Sequence, residues 1–212
     1  MLWSLAPNIS FCWIGGQAVL LDVARDRYFA LPRSASRQFR AWLETNDGSP
    51  PPEILTRSGL LVLDAKVPVP IEPCDIVAPR ADLDERWPTN GVGCSIASAA
   101  RSAALARLYL KVQPLERILS RLRETCALLT SNDVEPHAFA YAGARARLPL
   151  QRQCLPDSLA MLDYLRRHGR RAQLVFGVMT EPFGAHCWVQ SDTAILNDSA
   201  DNVSRFTPIL AL

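Results

Sequence analysis

Cys154 stands two residues before Pro156 in the run QRQCLPDSLAMLDYLRRHG, and His186 stands further on in PFGAHCWVQSDTAILND. Proline is tolerated in a helix only within the first turn, so Pro156 places Cys154 at or just before a helix start. Leu155, Leu159, Leu162 and Leu165 then form an apolar stripe, and Gly169 supplies the stop. A thiol at a helix mouth faces backbone N–H groups that no helical carbonyl reaches, and these donors, with the helix dipole, favour thiolate. The chemistry this allows is nucleophilic attack on a carbonyl, the same donors cradling the resulting oxyanion. The expected donors are the N–H of Cys154 and those of Gln151 or Gln153. A cysteine is more often an inert core thiol, but polar Gln151, Arg152 and Gln153 beside this one argue for chemistry.

A thiolate nucleophile needs a proton carrier, and strand geometry offers His186. The runs AHCWVQ and AILND flank a turn at Ser191, Asp192 and Thr193, and a three-residue loop is a common hairpin connection. If Gln190 pairs with Ala194, His186 lies opposite Asp198. Directly opposed β-carbons are about 4.5–5.5 Å apart, close enough for a carboxylate to hold one imidazole nitrogen while the other faces the thiol. A two-residue loop would set Asn197 opposite His186 instead, and an asparagine can play the same part. Asp201 is a weaker candidate. Alternation puts Cys187 on the face away from His186, as core.

The remaining histidines need no chemistry. His168 lies in the basic end RRHGRR of the helix, where a cation complements the dipole, and no spacing singles out His137. Cys154, His186 and Cys187 lack the paired spacing of a metal site, and no GxxxxGK phosphate loop occurs. Neither a metal nor a cofactor is therefore expected in this chain.

The elements that must position these residues fall into two groups. From Ile9 to Leu31, strand-forming runs broken at Gly15–Gly16 and at 24–27 predict a small antiparallel meander, and Ser34 then opens a helix with Phe39, Trp42 and Leu43 at helical spacing. PEILTRSGLLVLDA predicts one or two helical turns and an edge strand. The Pro-rich stretch 66–85 reads as a linker. Beyond it come two long helices, SIASAARSAALARLYLKVQ and PLERILSRLRETCALLT, the second with Leu115, Ile118, Leu119, Leu122, Cys126 and Leu129 on one face. The Cys154 helix and three strands follow. The fold class is α+β, with domains at 1–65 and 86–212.

Composition limits the function classes. With 23 basic against 21 acidic residues, bulk charge offers no footing for nucleic acid or an anionic membrane surface. The longest apolar runs are too short to span a bilayer. Six cysteines without CxxC spacing, and no signal-peptide pattern, predict a reducing cytoplasm.

Cysteine on a helix followed by histidine and aspartate on neighbouring strands resembles the transglutaminase-like superfamily. The wording is closer to lasso-peptide maturation B proteins, leader peptidases of the microcin J25 processing type. Their pattern, a Cys-Leu-x-x-Ser helix, a Gly-Val then Pro-Phe-x-Ala-His-x-Trp-Val segment and a later Asp, is met by Cys154, Leu155, Ser158, Gly177, Val178, Pro182, Phe183, Ala185, His186, Trp188, Val189 and Asp198. The resemblance implies a papain-like helix-then-antiparallel-sheet domain with Cys154, His186 and Asp198 as catalytic residues. The first domain resembles a PqqD-like recognition element of winged-helix shape, in AVLLDVARDRYFALPRSASRQFRAWL. Such elements take a leader peptide as an added strand, which implies contacts at Arg27, Tyr28, Phe29 and Ala30; Tyr28 and Phe29 read equally well as core aromatics.

The resemblance thus implies a cytoplasmic cysteine protease that removes the leader of a ribosomally made lasso precursor. Its implied partners are that precursor peptide and an asparagine-synthetase-like cyclase, through which the pathway would consume ATP. Two other readings fit the residues: a transglutaminase-type acyl-transferase, and a non-enzymatic peptide-binding module or winged-helix regulator whose Cys and His are structural.

Overall fold

The computed structural model describes residues 2–45, 49–64, 71–83, 91–126 and 133–212. Leu129 and the two ends of the linker stretch, 66–70 and 84–85, lie outside the described residues. The fold is mixed α/β and divides into two units, Met1–Asp75 and Ile76–Leu212.

The first unit runs β1 (Leu2–Leu5), β2 (Ile9–Ile14), β3 (Gln17–Asp22), β4 (Arg27–Ala30), α1 (Arg33–Thr45), α2 (Glu53–Arg57) and β5 (Leu61–Asp64). β2, β3 and β4 form an antiparallel sheet with β3 central. Gly15 (φ 55°) and Gly16 (φ 79°) make the two-residue turn that sets Ile14 opposite Gln17, a left-handed conformation that tight hairpins take most easily at glycine. Phe39 of α1 is 1 % exposed and packs with Phe11, Leu20 and Leu55, with Trp13 and Trp42 at the margin. Ser36, also buried, accepts the Ala18 N–H at 3.1 Å and donates to the Leu31 carbonyl at 3.3 Å, tying α1 to the sheet without an orphaned polar group. β1 pairs with β5, and four residues are too few for alternation to announce a strand. The outer edge of β2 is met by chain 71–75, where the Cys74 N–H donates to the Phe11 carbonyl at 2.8 Å and Ile71 packs on the core. Among the described residues β4 has β3 as its only strand partner. Phe29 of β4 packs against the core cluster, as a core aromatic does.

The second unit comprises β6 (Ala81–Asp82), α3 (Ile96–Val112), α4 (Leu115–Cys126), α5 (Glu135–Ala146), α6 (Cys154–Arg167), β7 (Gln173–Thr180), β8 (Phe183–Gln190), β9 (Ala194–Ile195), α7 (Ala200–Val203) and β10 (Thr207–Ala211). Its five-stranded sheet has the order β10-β7-β8-β9-β6. β6 lies within the stretch read as a linker, yet it pairs parallel with β9, and Ile76 and Ala78 before it pack on the cluster of Val175, Trp188, Ile195 and Val203. The side chain of Gln190 donates to the Val77 carbonyl at 3.2 Å. Proline density signals missing backbone donors, not missing contacts, so it does not separate a linker from an irregular segment laid on a sheet.

α3 begins at an N-cap, Ser95, whose side chain accepts the Ser98 N–H at 3.1 Å. Its buried face is Ala99, Ser102, Ala103 and Ala106, small residues that bring it close to α6. Ser102 Oγ donates to Asp163 Oδ2 on α6 at 2.7 Å. The buried stripe of α6 includes Leu159, Leu162 and Leu165, and the chain leaves it through Gly169 at φ 70°.

Gly177 of β7 faces His186 of β8. A Cβ there would meet Trp188 Cζ3 at 2.7 Å and Phe206 Cβ at 2.9 Å, and a contact against another Cβ cannot be relieved by rotating a side chain. Overpacking of this kind costs about 1–3 kcal/mol. By contrast, nothing lies within 4 Å of a Cβ on Gly143, in α5, where alanine gains about 0.4–1 kcal/mol in a compatible helix. Urea denaturation is expected to show Gly177→Ala less stable and Gly143→Ala more stable than the parent.

Candidate active site

Cys154 is the first residue of α6 and is exposed. Gln153 is the N-cap, with extended φ −144° and ψ 128°, and its side chain makes no cap hydrogen bond. The Asp157 N–H closes the first turn onto the Gln153 carbonyl at 3.0 Å. Pro156 lacks an N–H, so the helix mouth has Cys154 and Leu155 as its upward-facing donors. The Gln153 N–H is already engaged, donating to Asp157 Oδ2 at 3.2 Å, and is no spare oxyanion donor. Gln153 lines the cleft beside Cys154, whereas Gln151 is not among its lining residues; the Gln151 carbonyl accepts from Arg107 at 3.1 Å and Arg145 at 3.3 Å.

His186 comes from β8, and its Nε2 is hydrogen-bonded to Asp198 Oδ2. That leaves Nδ1 for the Cys154 thiol, whose proximity helps raise the histidine pKa. The ring lies near Phe206 at 5.1 Å and Trp188 at 6.1 Å between centroids.

Asp198 reaches His186 by a route other than the expected ladder. Gln190 pairs with Ile195, not Ala194, and β9 has only two residues. The loop is lengthened because Ser191 Oγ accepts the Thr193 N–H at 3.2 Å and the Ala194 N–H at 3.0 Å, while Ser191 and Thr193 both donate to buried Glu135 Oε1 at 2.6 Å. The chain has left the ladder by residue 198, and Asp198 is aimed by its own neighbours: Oδ1 accepts the Ser199 N–H at 2.7 Å, and Oδ2 accepts Asn202 Nδ2 at 2.9 Å. Asn197 has a different task. Its Oδ1 accepts the Val189 N–H at 2.7 Å and its Nδ2 donates to Ser158 Oγ at 2.8 Å, stitching β8 to α6. Asp201 lies in the first turn of the short helix α7 and does not line the cleft.

Cys187 is core, at 3 % exposure, but it also faces the cleft. α6 packs on β8, and its first residue shares the cleft with both His186 and Cys187. Alternation along β8 separates those two side chains but cannot show that a helix end spans them.

The electrostatics follow from these contacts. Hydrogen bonds from the Cys187 thiol and from His186 hold the Cys154 pKa down to about 4, against the opposing effect of burial. The same contact to Cys154 pushes Cys187 far up, so it remains a protonated donor. Burial disfavours charge on His186, but Asp198 and Cys154 outweigh it and raise its pKa to about 9. Burial likewise opposes ionisation of Asp198, which the His186 hydrogen bond and the Ser199 N–H reverse, lowering its pKa. Between about 4 and about 9 the pair is thiolate and imidazolium. The three groups open on a cavity of roughly 610 Å³ lined also by Phe139, Met161 and Leu196. Among the described residues no group of three or more His, Cys, Asp or Glu is placed to hold a metal ion, and no helix is long and apolar enough to cross a membrane.

Raised His186 favours the charged pair below its folded value, and lowered Cys154 favours it above its own. Iodoacetamide alkylation of Cys154 is therefore expected to rise with pH through a midpoint near 4. In His186→Ala that midpoint moves upward; an unchanged midpoint would show that the histidine does not support the thiolate.

The same half of the chain is the part that a family model matches. A scan against protein families matches residues 92–211 to a family described as the Transglutaminase-like superfamily. Searches of curated proteins and of solved structures each returned no match. The matched span takes in more than half of the chain and carries Cys154, His186 and Asp198 alike; the chain belongs to the transglutaminase-like superfamily.

Proposed function

We propose that the protein is a cysteine peptidase that removes the leader from a ribosomally synthesised lasso-peptide precursor. Transglutaminase-like proteins are in general cysteine peptidases or acyltransferases. The observation that carries a catalytic reading is the placement of Cys154 at the mouth of α6 with His186 and Asp198 on one cleft, the histidine hydrogen-bonded to Asp198. Cys154 Sγ attacks the carbonyl carbon at the leader/core junction, and the carbonyl electrons move onto oxygen, held by the helix-mouth N–H groups. As the tetrahedral species collapses, the C–N bond breaks and His186 delivers its proton to the leaving core amine. Water, deprotonated by the now neutral His186, then attacks the thioester and releases the leader carboxylate together with the Cys154 thiolate. Asp198 keeps the ring in the tautomer that serves both steps.

Support for a leader substrate comes from the matched motif around Cys154 and His186, and from the first unit, whose sheet has one edge met by chain 71–75 and β4 at the other. An extended leader would add beside Arg27, Tyr28, Phe29 and Ala30 through main-chain hydrogen bonds. The freed core amine would pass to an asparagine-synthetase-like cyclase, which joins it to a side-chain carboxylate at the expense of ATP; this chain needs no cofactor for its own hydrolysis. The action is placed in the cytoplasm, where the precursor is made.

The test is incubation with a synthetic leader/core peptide, taken from the short reading frame beside the gene, and mass spectrometry of the products. Cleavage is expected in the parent and none in Cys154→Ala. Asp198→Asn is expected to lower kcat by roughly 10²–10⁴-fold, the loss seen when a histidine's orienting carboxylate is removed. Asn197→Ala is expected to cost about 1–3 kcal/mol of stability through the unpaired Val189 N–H and Ser158 hydroxyl, with kcat of the folded enzyme little changed. Intact peptide in all four proteins would overturn the peptidase reading, and transfer of the leader to an added amine in place of water would assign acyl transfer.

A further inference from the structure

The four residues before Cys154 are held by a buried ion pair that the chemistry above does not use. Arg145, on α5, is 4 % exposed. Its guanidinium donates from Nε and Nη2 to Asp157 Oδ1 at 3.1 and 2.9 Å and from Nη2 to Asp157 Oδ2 at 3.1 Å. The same group donates to the carbonyls of Leu150 and Gln151 at 3.3 Å. Arg107, on α3, adds a hydrogen bond to the Gln151 carbonyl at 3.1 Å and lies 3.6 Å from Asp157 Oδ1. Asp157, in the first turn of α6, takes the Gln153 N–H in return. Three helices therefore converge on the backbone from 150 to 153, and the nucleophile is the next residue.

We infer that Arg145, with Asp157 and Arg107, is a positioning residue: it fixes the chain entering α6 so that Cys154 Sγ and the helix-mouth N–H groups stand in register with His186. The inference rests on Cys154 being the nucleophile of the proposed peptidase. Two considerations carry it. A helix start with Gln153 as N-cap has no side-chain cap of its own, so its angle of entry is set by whatever holds the preceding loop. The planar fork meets two carbonyls and a carboxylate from three nitrogens at fixed spacing, whereas an ammonium must do so from a single nitrogen with three donors. The pair also cancels charge. Unpaired, the Asp157 carboxylate would stand one turn from the Cys154 thiolate and oppose it. The other titratable or charged groups lining the same cleft are Tyr141 on α5, His186 and Cys187 on β8, Asp198 beyond β9, Asp82 on β6 and Arg152 in the preceding loop. None of them faces Asp157 in a hydrogen bond among the described residues.

The test compares the parent with Arg145→Lys, Asp157→Asn and Arg107→Ala, each checked for folding by its thermal midpoint. Arg145→Lys keeps the charge and loses the fork; its kcat is expected to fall by about 10–100-fold with KM little changed, the scale of a reacting atom displaced by about 1 Å. Its Cys154 alkylation rate with iodoacetamide falls with it. Arg107→Ala, which removes one hydrogen bond from a less buried side chain, is expected to lower both several-fold, and it keeps the test alive if Arg145→Lys does not fold. Asp157→Asn retains an acceptor for the Gln153 N–H but removes the carboxylate that Arg145 grips, so its kcat and alkylation rate are expected to fall as in Arg145→Lys. Folded variants with parental kcat and parental alkylation would overturn the inference. Alkylation needs no peptide, so a positioning effect seen there without cleavage in the parent would sink the peptidase reading alone.

Discussion

The hydrogen bond between His186 and Asp198 is the contact on which the rest of the site depends. For an imidazole half-buried beside Trp188 and Phe206, desolvation opposes the charge, and desolvation likewise opposes ionisation of the Cys154 thiol. Asp198 reverses the first tendency, and the imidazolium it stabilises helps reverse the second. Neither ionisation is favourable alone. Together they produce a charge pair that survives partial burial because each member is the other's partner.

Holding three such residues from three elements is a packing problem, and the second unit meets it with polar ties where the sheet and helices join. Asn197 and Ser158 bind β8 to α6, Glu135 gathers the hydroxyls of the 191–193 loop, Asn202 orients Asp198, and Asp82 accepts the Ala200 N–H at 2.7 Å at the start of α7. Where such a tie serves a buried group, as at Ser158, leaving that group unpaired would cost about 1–3 kcal/mol. Their geometry is directional, unlike that of the apolar core beneath them. Gly177 belongs to the same logic by absence: the ring of Trp188 occupies the space a side chain would take and comes to lie beside His186.

Much of this was legible in local sequence. Pro156 marked the start of α6, because ring closure forbids the residue deeper in a helix. The glycines at 15 and 16 marked the β2–β3 hairpin, and the run 173–190 carried its strands openly. β1, α5 and β10 were not read: β1 and β10 are short strands whose partners lie far away in sequence, and α5 is masked by its alanines, glycine and proline, which show little amphipathic contrast. The stretch 66–85 illustrates a different limit. Its composition describes what the backbone lacks, and only the sheet edge formed by β9 decides that residues 81–82 become a strand.

Residue types and spacing by themselves determined that a thiol would sit at a helix mouth, that a histidine would project from a strand nearby, and that an acidic or amide side chain would follow within reach. These are short-range consequences of proline geometry, helical dipoles and strand alternation. The choice of Asp198 over Asn197 was made by tertiary structure: beyond β9 the chain leaves the ladder, Asn197 is engaged by Val189 and Ser158, and Asp198 is turned to His186 by Ser199 and Asn202. So was the approach of Cys187 to Cys154, and the grip of Arg145 on the loop before the nucleophile. Each depends on which helix packs on which strand, a relation between distant segments that no local periodicity contains.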